Sequence, residues 1–102
     1  MKKLRTAVVG VGYLGRFHAQ KYKLIDNVEL VAVCDADPKR AKEIADELKV
    51  AAEPDFKNLV GKVDAVTIAA STPKHYEISK FFLQNKIQIK SFEFVFLLIL
   101  IN

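Results

Sequence analysis

The sequence predicts an α/β fold, a doubly wound parallel sheet incomplete at its C-terminal end, within 102 residues. Three observations predict it. Short, β-branched, nearly uncharged runs recur along the chain, as expected of strands covered on both faces. Segments with helical apolar spacing alternate with them. Three of the 4 glycines fall between positions 10 and 15, where the first run ends and the first helical pattern begins.

The elements follow in order. Leu4 to Val9 and Val28 to Val33 read as strands, and between them Leu14, Phe17, Lys21, Leu24 and Ile25 recur at helical spacing. Asp37 is placed to cap a second helix with Pro38 at its first position, and Ala41, Ile44, Ala45 and Leu48 give that helix one apolar face. Glu53-Pro54 and Gly61 bracket a short helical piece centred on Phe56, Leu59 and Val60. Val63 to Ala70 reads as another buried strand. Thr72-Pro73 repeats the cap-then-proline signal before a helix carrying Ile78, Phe81 and Phe82. Strands alternating with helices imply a parallel sheet wrapped by right-handed crossovers.

Composition excludes several classes. With 51% apolar and 27% charged residues the chain has the balance of a folded protein and not of a disordered one. The net charge of +4 comes from scattered lysines, with no basic block and no interleaved aromatics, so no nucleic-acid partner is expected. The 1 cysteine, Cys34, has no partner for an internal disulfide, and Met1-Lys2-Lys3 leads straight into a strand pattern, so a reducing cytoplasm is the expected setting.

Gly10-Val11-Gly12-Tyr13-Leu14-Gly15 fits G-x-G-x-x-G, and each glycine meets a different steric need. Gly10 allows a tight turn. Gly12 removes the side chain that would hold a pyrophosphate away from the backbone. Gly15 lets the helix lie close on the strand. Amides around Tyr13 and Leu14 would then point at the phosphates with the positive end of the helix dipole behind them. The second strand ends at Asp35, 20 residues after Gly15, where a carboxylate accepts hydrogen bonds from the adenosine ribose hydroxyls. The structural alternative is that the glycines form only a strand-to-helix turn and Asp35 only ends a strand.

Asp35 also bears on which dinucleotide is bound. A carboxylate at the ribose repels a 2′-phosphate and favours NAD over NADP, while Lys39 and Arg40 just downstream are placed to attract that phosphate. S-adenosylmethionine-dependent methyltransferases share a glycine-rich first loop and an acidic end to the second strand; Gly15, fitting close helix packing, favours the dinucleotide.

Three blocks, "VVGVGYLGRFHAQKY", "LVAVCDADPKRAKEIADEL" and "VDAVTIAASTPKHYEISKFFLQNK", together resemble the N-terminal domain of the glucose-fructose oxidoreductase and inositol dehydrogenase family, Gfo/Idh/MocA, over residues 4 to 87. The resemblance implies a Rossmann domain binding NAD or NADP, followed in full-length members by an α/β domain that holds a sugar, polyol or related substrate. It places the phosphate loop on Gly10 to Gly15 and the ribose-binding acid on Asp35. The segment after the fourth strand, with Ser71 and Thr72, would lie along the cofactor beyond the pyrophosphate, and His75 matches a histidine common in that block. Residues 1–87 are thus expected to form the dinucleotide-binding domain, with the substrate domain absent.

Other reactive side chains are expected to be structural. His18 on the first helix and His75 in the first turn of a later one are read as packing or hydrogen-bonding residues, with His75 free to touch the cofactor. Cys34 is read as an inert core thiol. No cluster has metal-ligand spacing.

After Asn85-Lys86-Ile87, relatives usually continue into Glu-Lys-Pro, whose lysine is implicated in proton transfer. Here residues 88–102 run "QIKSFEFVFLLILIN", a divergent apolar tail that looks like the result of an early stop or a shifted frame. Phe92 to Ile101 is too short to span a membrane and is expected to form a terminal strand or a self-associating segment. No catalytic residue is assigned. The expected role is the cofactor-binding portion of an oxidoreductase that moves a hydride between a sugar- or polyol-type alcohol and a nicotinamide cofactor. The alternative is a noncatalytic NAD(H)-binding or interaction module.

Overall fold

The computed structural model describes residues 3–70, 72–85, 87–92 and 95–100; for 72, 73, 75, 83, 87–92 and 95–100 only the backbone is described. The chain alternates strand and helix as β1 (Leu4–Val9), α1 (Tyr13–Tyr22), β2 (Val28–Cys34), α2 (Pro38–Leu48) and β3 (Ala51–Glu53). A short 3-10 turn (Phe56–Leu59) then leads to β4 (Ala65–Ile68), α3 (Thr72–Gln84), β5 (Ile87–Phe92) and β6 (Val95–Leu100).

One sheet holds all six strands in the order β3-β2-β1-β4-β6-β5. β1 pairs parallel with β2 and β4, and β2 pairs parallel with β3. β6 lies antiparallel to β4, and β5 antiparallel to β6 at the sheet edge. The order reverses at β1. The chain moves one way through β2 and β3, then returns to the other side of β1 as β4. That reversal opens a crevice at the carboxyl ends of the parallel strands, between β1 and β4.

Both faces of the parallel strands are buried, which explains their lack of simple alternation. Ala7, Val9, Ala32, Cys34, Val66 and Ile68 pack with Leu59, Val63, Ile78 and Phe82 on the face under the 3-10 turn and α3. Val8, Leu30 and Val33 pack with Val11, Ala19, Ile44 and Ala45 on the face under α1 and α2. Fully buried Phe82 alone contributes roughly 2–3 kcal/mol by leaving water.

α2 forms as its sequence predicts. The Asp37 carboxylate accepts the Lys39 and Arg40 amides at 3.0 and 3.4 Å, Pro38 sits in the first turn, and Ala41, Ile44 and Ala45 are buried. α1 differs from its apolar stripe. It ends at Tyr22 and buries Gly15 and Ala19, leaving Leu14, Phe17, Leu24 and Ile25 exposed. Small residues, not large ones, let this helix lie against the sheet, and the Tyr22 hydroxyl is hydrogen-bonded to the Thr67 hydroxyl of β4. At the opposite end of the sheet the Arg5 guanidinium meets Asp64 in a two-pronged pair, with Nη2 to Oδ1 at 2.9 Å, fixing β1 against the start of β4. Among the described residues no helix is long and apolar enough to cross a membrane.

Candidate functional site

The crevice between β1 and β4 is a cleft of about 500 Å³, lined from every parallel strand's carboxyl end. Val9, Gly10 and Gly12 come from the β1 side, Cys34, Asp35, Ala36 and Arg40 from β2 and the start of α2. Pro54, Asp55 and Phe56 follow β3, Ala69 and Ala70 follow β4, and Lys74, Glu77 and Ile78 project from α3.

The three glycines of the loop play three distinct steric parts. Gly10 has φ +92°, and a Cβ there would stand 2.9 Å from the Ala69 carbonyl and the Ala70 nitrogen, so the loop passes hard against the end of β4. A Cβ on Gly15 would lie 1.7 Å from the Gly10 carbonyl oxygen. Gly15 is therefore a packing residue behind the loop, closing α1 onto the strand end. Gly12 is different. It has φ −69°, which any residue adopts, and the nearest atom to a Cβ there is an Arg40 nitrogen at 4.0 Å. Nothing in the protein's own packing demands glycine at 12. Open space above its backbone fits a ligand that approaches the main chain.

The start of α1 is correspondingly open. Its N-cap is Gly12, with no side-chain acceptor, and the first amide satisfied within the helix is that of Arg16, bonded to the Gly12 carbonyl at 2.9 Å. Amides at Tyr13, Leu14 and Gly15 thus have no intrahelical partner. α2, capped by Asp37, offers no such vacancy at its Lys39 and Arg40 amides. The Tyr13 side chain is 96% exposed and Leu14 is also exposed, so any part these two play in the cleft belongs to their backbone.

Asp35 follows β2 directly, with its side chain only 12% exposed. One oxygen accepts the Val11 amide at 2.9 Å and the other the Asp37 amide at 2.9 Å. Arg40 Nη1 stands 3.9 Å from Oδ2. The carboxylate therefore holds the glycine loop to the end of β2, the structural job that was the alternative to ribose binding. Each oxygen keeps further lone-pair capacity toward the cleft. The two roles are compatible.

The remaining candidates divide. Ser71 lies outside the described residues, as do the side chains of Thr72 and His75; the backbone of Thr72 and His75 lies in the first turn of α3, which starts at Thr72. His18 is half-buried on α1, edge-on to Phe17 with ring centres 5.9 Å apart and away from the cleft, and burial lowers its pKa. Cys34 is buried at the cleft floor, its thiol pushed up to about 12 first by burial and then by the charges of Glu53, Asp35 and Asp55. Of the two basic residues after Asp35, Arg40 lines the cleft and Lys39 does not. Sequence reasoning missed the wall built by Pro54, Asp55 and Phe56, and Lys74 and Glu77 on α3. No group of three or more His, Cys, Asp or Glu side chains able to hold a metal ion occurs among the described residues.

Comparison with known proteins agrees with this geometry. Residues 4–90 match the model of the Gfo/Idh/MocA family, described as an oxidoreductase family with an NAD-binding Rossmann fold. The chain is 44% identical over 84 residues to the UDP-N-acetylglucosamine 3-dehydrogenase of Acidithiobacillus ferrooxidans, covering 82% of this chain and 26% of that protein. It is 37% identical over 78 residues to the inositol 2-dehydrogenase of Acidothermus cellulolyticus, covering 72% and 23%. The solved structure of the Acidithiobacillus enzyme superposes with a TM-score of 0.76 over 83% of this chain and 28% of that one. The scyllo-inositol dehydrogenase of Lactobacillus casei, solved with NAD(H) and scyllo-inositol, superposes with a TM-score of 0.74 at 27% identity over 82% and 26%. The chain thus spans about a quarter of the length of these relatives. With strand order, glycine loop and family match in accord, this chain belongs to the Gfo/Idh/MocA oxidoreductase family, as its NAD-binding Rossmann domain.

Proposed function

We propose that the chain binds NAD along the cleft between β1 and β4 and serves as the cofactor-binding part of an oxidoreductase acting on a secondary alcohol of a sugar or polyol. The observation that carries this reading is Gly12. It has ordinary backbone angles and open space above it, at the mouth of a helix whose first amides are unpaired. Such a position has a reason to be glycine only if something outside the chain comes to the backbone there.

In this reading the amides at the start of α1 hold the diphosphate, and Asp35 accepts a ribose hydroxyl while keeping its bond to Val11. Pro54, Asp55 and Phe56 border the adenosine end, and the Ala69-Ala70 backbone borders the path beyond the diphosphate. When bound, nicotinamide supplies a carbon that takes up hydride. The residues of this chain bind and orient it; we assign the proton-accepting step to none of them. The sugar or polyol class rests on relatives named as dehydrogenases of UDP-N-acetylglucosamine and of inositol.

Calorimetry of the full chain with NAD, NADH and NADP tests the binding claim. Saturable one-site heat with NAD supports it, and absence of heat with all three overturns it. An assay of the same protein against a panel of polyols then separates an enzyme from a noncatalytic dinucleotide-binding module.

A further inference from the structure

We propose that the outer flank of α1 is a docking surface for an acidic amphipathic helix presented by another protein chain. Leu14, Phe17 and Lys21 follow one another at helical spacing along α1. The turns beyond it continue the winding, with the Leu24 and Ile25 amides bonded to the Lys21 and Tyr22 carbonyls at 3.0 and 3.3 Å. Leu24 and Ile25 therefore extend the same stripe, which runs for about three turns, or about 15 Å. Its apolar members stay open to solvent, Leu24 by 76%, Phe17 by 49%, and Leu14 and Ile25 to a similar extent as Phe17. Buried Gly15 and Ala19 turn one side of α1 to the sheet, and Arg16 and Gln20 turn another to Glu47 of α2. The stripe occupies the remaining side, and exposed apolar anchors at i, i+3, i+10 and i+11 are the pattern that a second helix laid alongside would bury.

Charge selects the partner. From Tyr13 to Ile25 the chain carries Arg16, Lys21 and Lys23 and no acidic residue. Arg16 is answered by Glu47. Among the described residues no carboxylate pairs with Lys21 or Lys23, and the Lys21 ammonium stands over the Phe17 ring, 5.1 Å from its centre. At its Ile25 end the stripe borders a cleft edged by Lys3, Lys23 and Lys49 against Asp26 and Glu29. A partner helix with apolar residues on one face and carboxylates beside them would bury the stripe and meet both lysines. A second copy of this chain fits less well. Two α1 flanks brought together would set two acid-free, lysine-bearing faces against each other, at a cost in repulsion. Helix α2 carries acids but exposes no large apolar residue, and the described part of α3 exposes only Tyr76.

The probes are two synthetic helical peptides with the same leucine spacing, one with glutamates beside the leucines and one with lysines. Each is titrated into the isotope-labelled full chain and followed by amide shifts and fluorescence anisotropy. The glutamate peptide should bind saturably, with Kd below about 100 μM and at least about tenfold tighter than the lysine peptide, and should shift Phe17, Lys21, Leu24 and Ile25. Leu24→Ser, a change at an exposed side chain, should keep the melting temperature and weaken that binding by about tenfold or more. Lys21→Glu should weaken the glutamate peptide and strengthen the lysine one. Neither residue lines the NAD cleft, so NAD should behave alike toward wild type and both variants, and the dinucleotide reading stands or falls separately. Equal affinity for the two peptides, no binding of the glutamate peptide, or shifts confined to another surface would overturn the proposal. Concentration-dependent dimerisation of the chain that Leu24→Ser abolishes would also overturn it, giving the flank to a second copy.

Discussion

The Asp35 carboxylate accepts the Val11 amide at 2.9 Å, joining the end of β2 to the middle of the glycine loop across 24 residues of sequence. One side chain thus shapes the glycine loop and, in the proposed reading, also meets the ribose. Its removal should be felt in both stability and binding.

Asp35→Ala should lower stability by about 1–3 kcal/mol, because buried Val11 loses its charged acceptor. It should weaken NAD by about tenfold or more and NADP by less, since the repulsion of a 2′-phosphate vanishes with the carboxylate. Asp35→Asn, which keeps an oxygen for Val11, should regain stability. Urea unfolding and paired calorimetric titrations read the two effects, and equal losses for NAD and NADP would remove Asp35 from the ribose.

Gly12→Ala and Gly15→Ala should separate binding from folding. Alanine at 12 meets no atom closer than 4.0 Å, so the melting temperature should hold within a few degrees while NAD affinity falls about tenfold or more. Alanine at 15 would drive a methyl to 1.7 Å from the Gly10 carbonyl and should cost more than about 3 kcal/mol. Thermal melts with and without NAD distinguish them; a Gly12→Ala protein that binds NAD normally would leave that glycine without a function.

How far the sequence predicted this arrangement varied by element, for physical reasons. β1, β2 and α2 were legible because two-sided burial, a capping aspartate and a proline are local signals. The face of α1 was not: apolar periodicity weighs Leu14 and Phe17, but a helix pressed against a loop carbonyl must present Gly15 and Ala19. β3 has three residues and no alternation of its own, and its pairing with β2 is what makes it a strand. Missing it hid the fact that Pro54, Asp55 and Phe56 stand at the same sheet end as Asp35. The glycine loop was legible because its spacing reflects one strand-to-helix turn, and the place of Asp35 because it stands at the end of the next strand. Lys74 and Glu77 were not, since only the packing of α3 brings them to the cleft.

His18 gives the protein a stability contribution that is lost in mild acid. Burial holds its folded pKa below the usual histidine value, so the unfolded chain takes up a proton first as pH falls. The stabilising contribution is full above the unfolded value of about 6.5 and is lost as pH drops through the folded one. Melting temperatures recorded from neutral pH down toward 5 should fall. His18→Gln should flatten that part of the slope; an unchanged slope would move its origin to another group.

Cys34 should be silent in the native protein. With its pKa pushed up to about 12 and only 3% of its surface exposed, the thiolate fraction at pH 8 is roughly one part in ten thousand. Ellman's reagent should react only at the rate of unfolding and promptly in urea. Rapid labelling of the folded chain would contradict the buried placement.

The most direct test of the central claim is a titration of the isotope-labelled full chain with NAD, followed through its backbone amide resonances. Saturable shifts at Gly12, Tyr13 and Leu14, together with Val11 and the residues around Asp35, are expected. Shifts confined to another surface, such as the cleft lined by Lys3, Lys23 and Lys49, or no shifts at all, would contradict it.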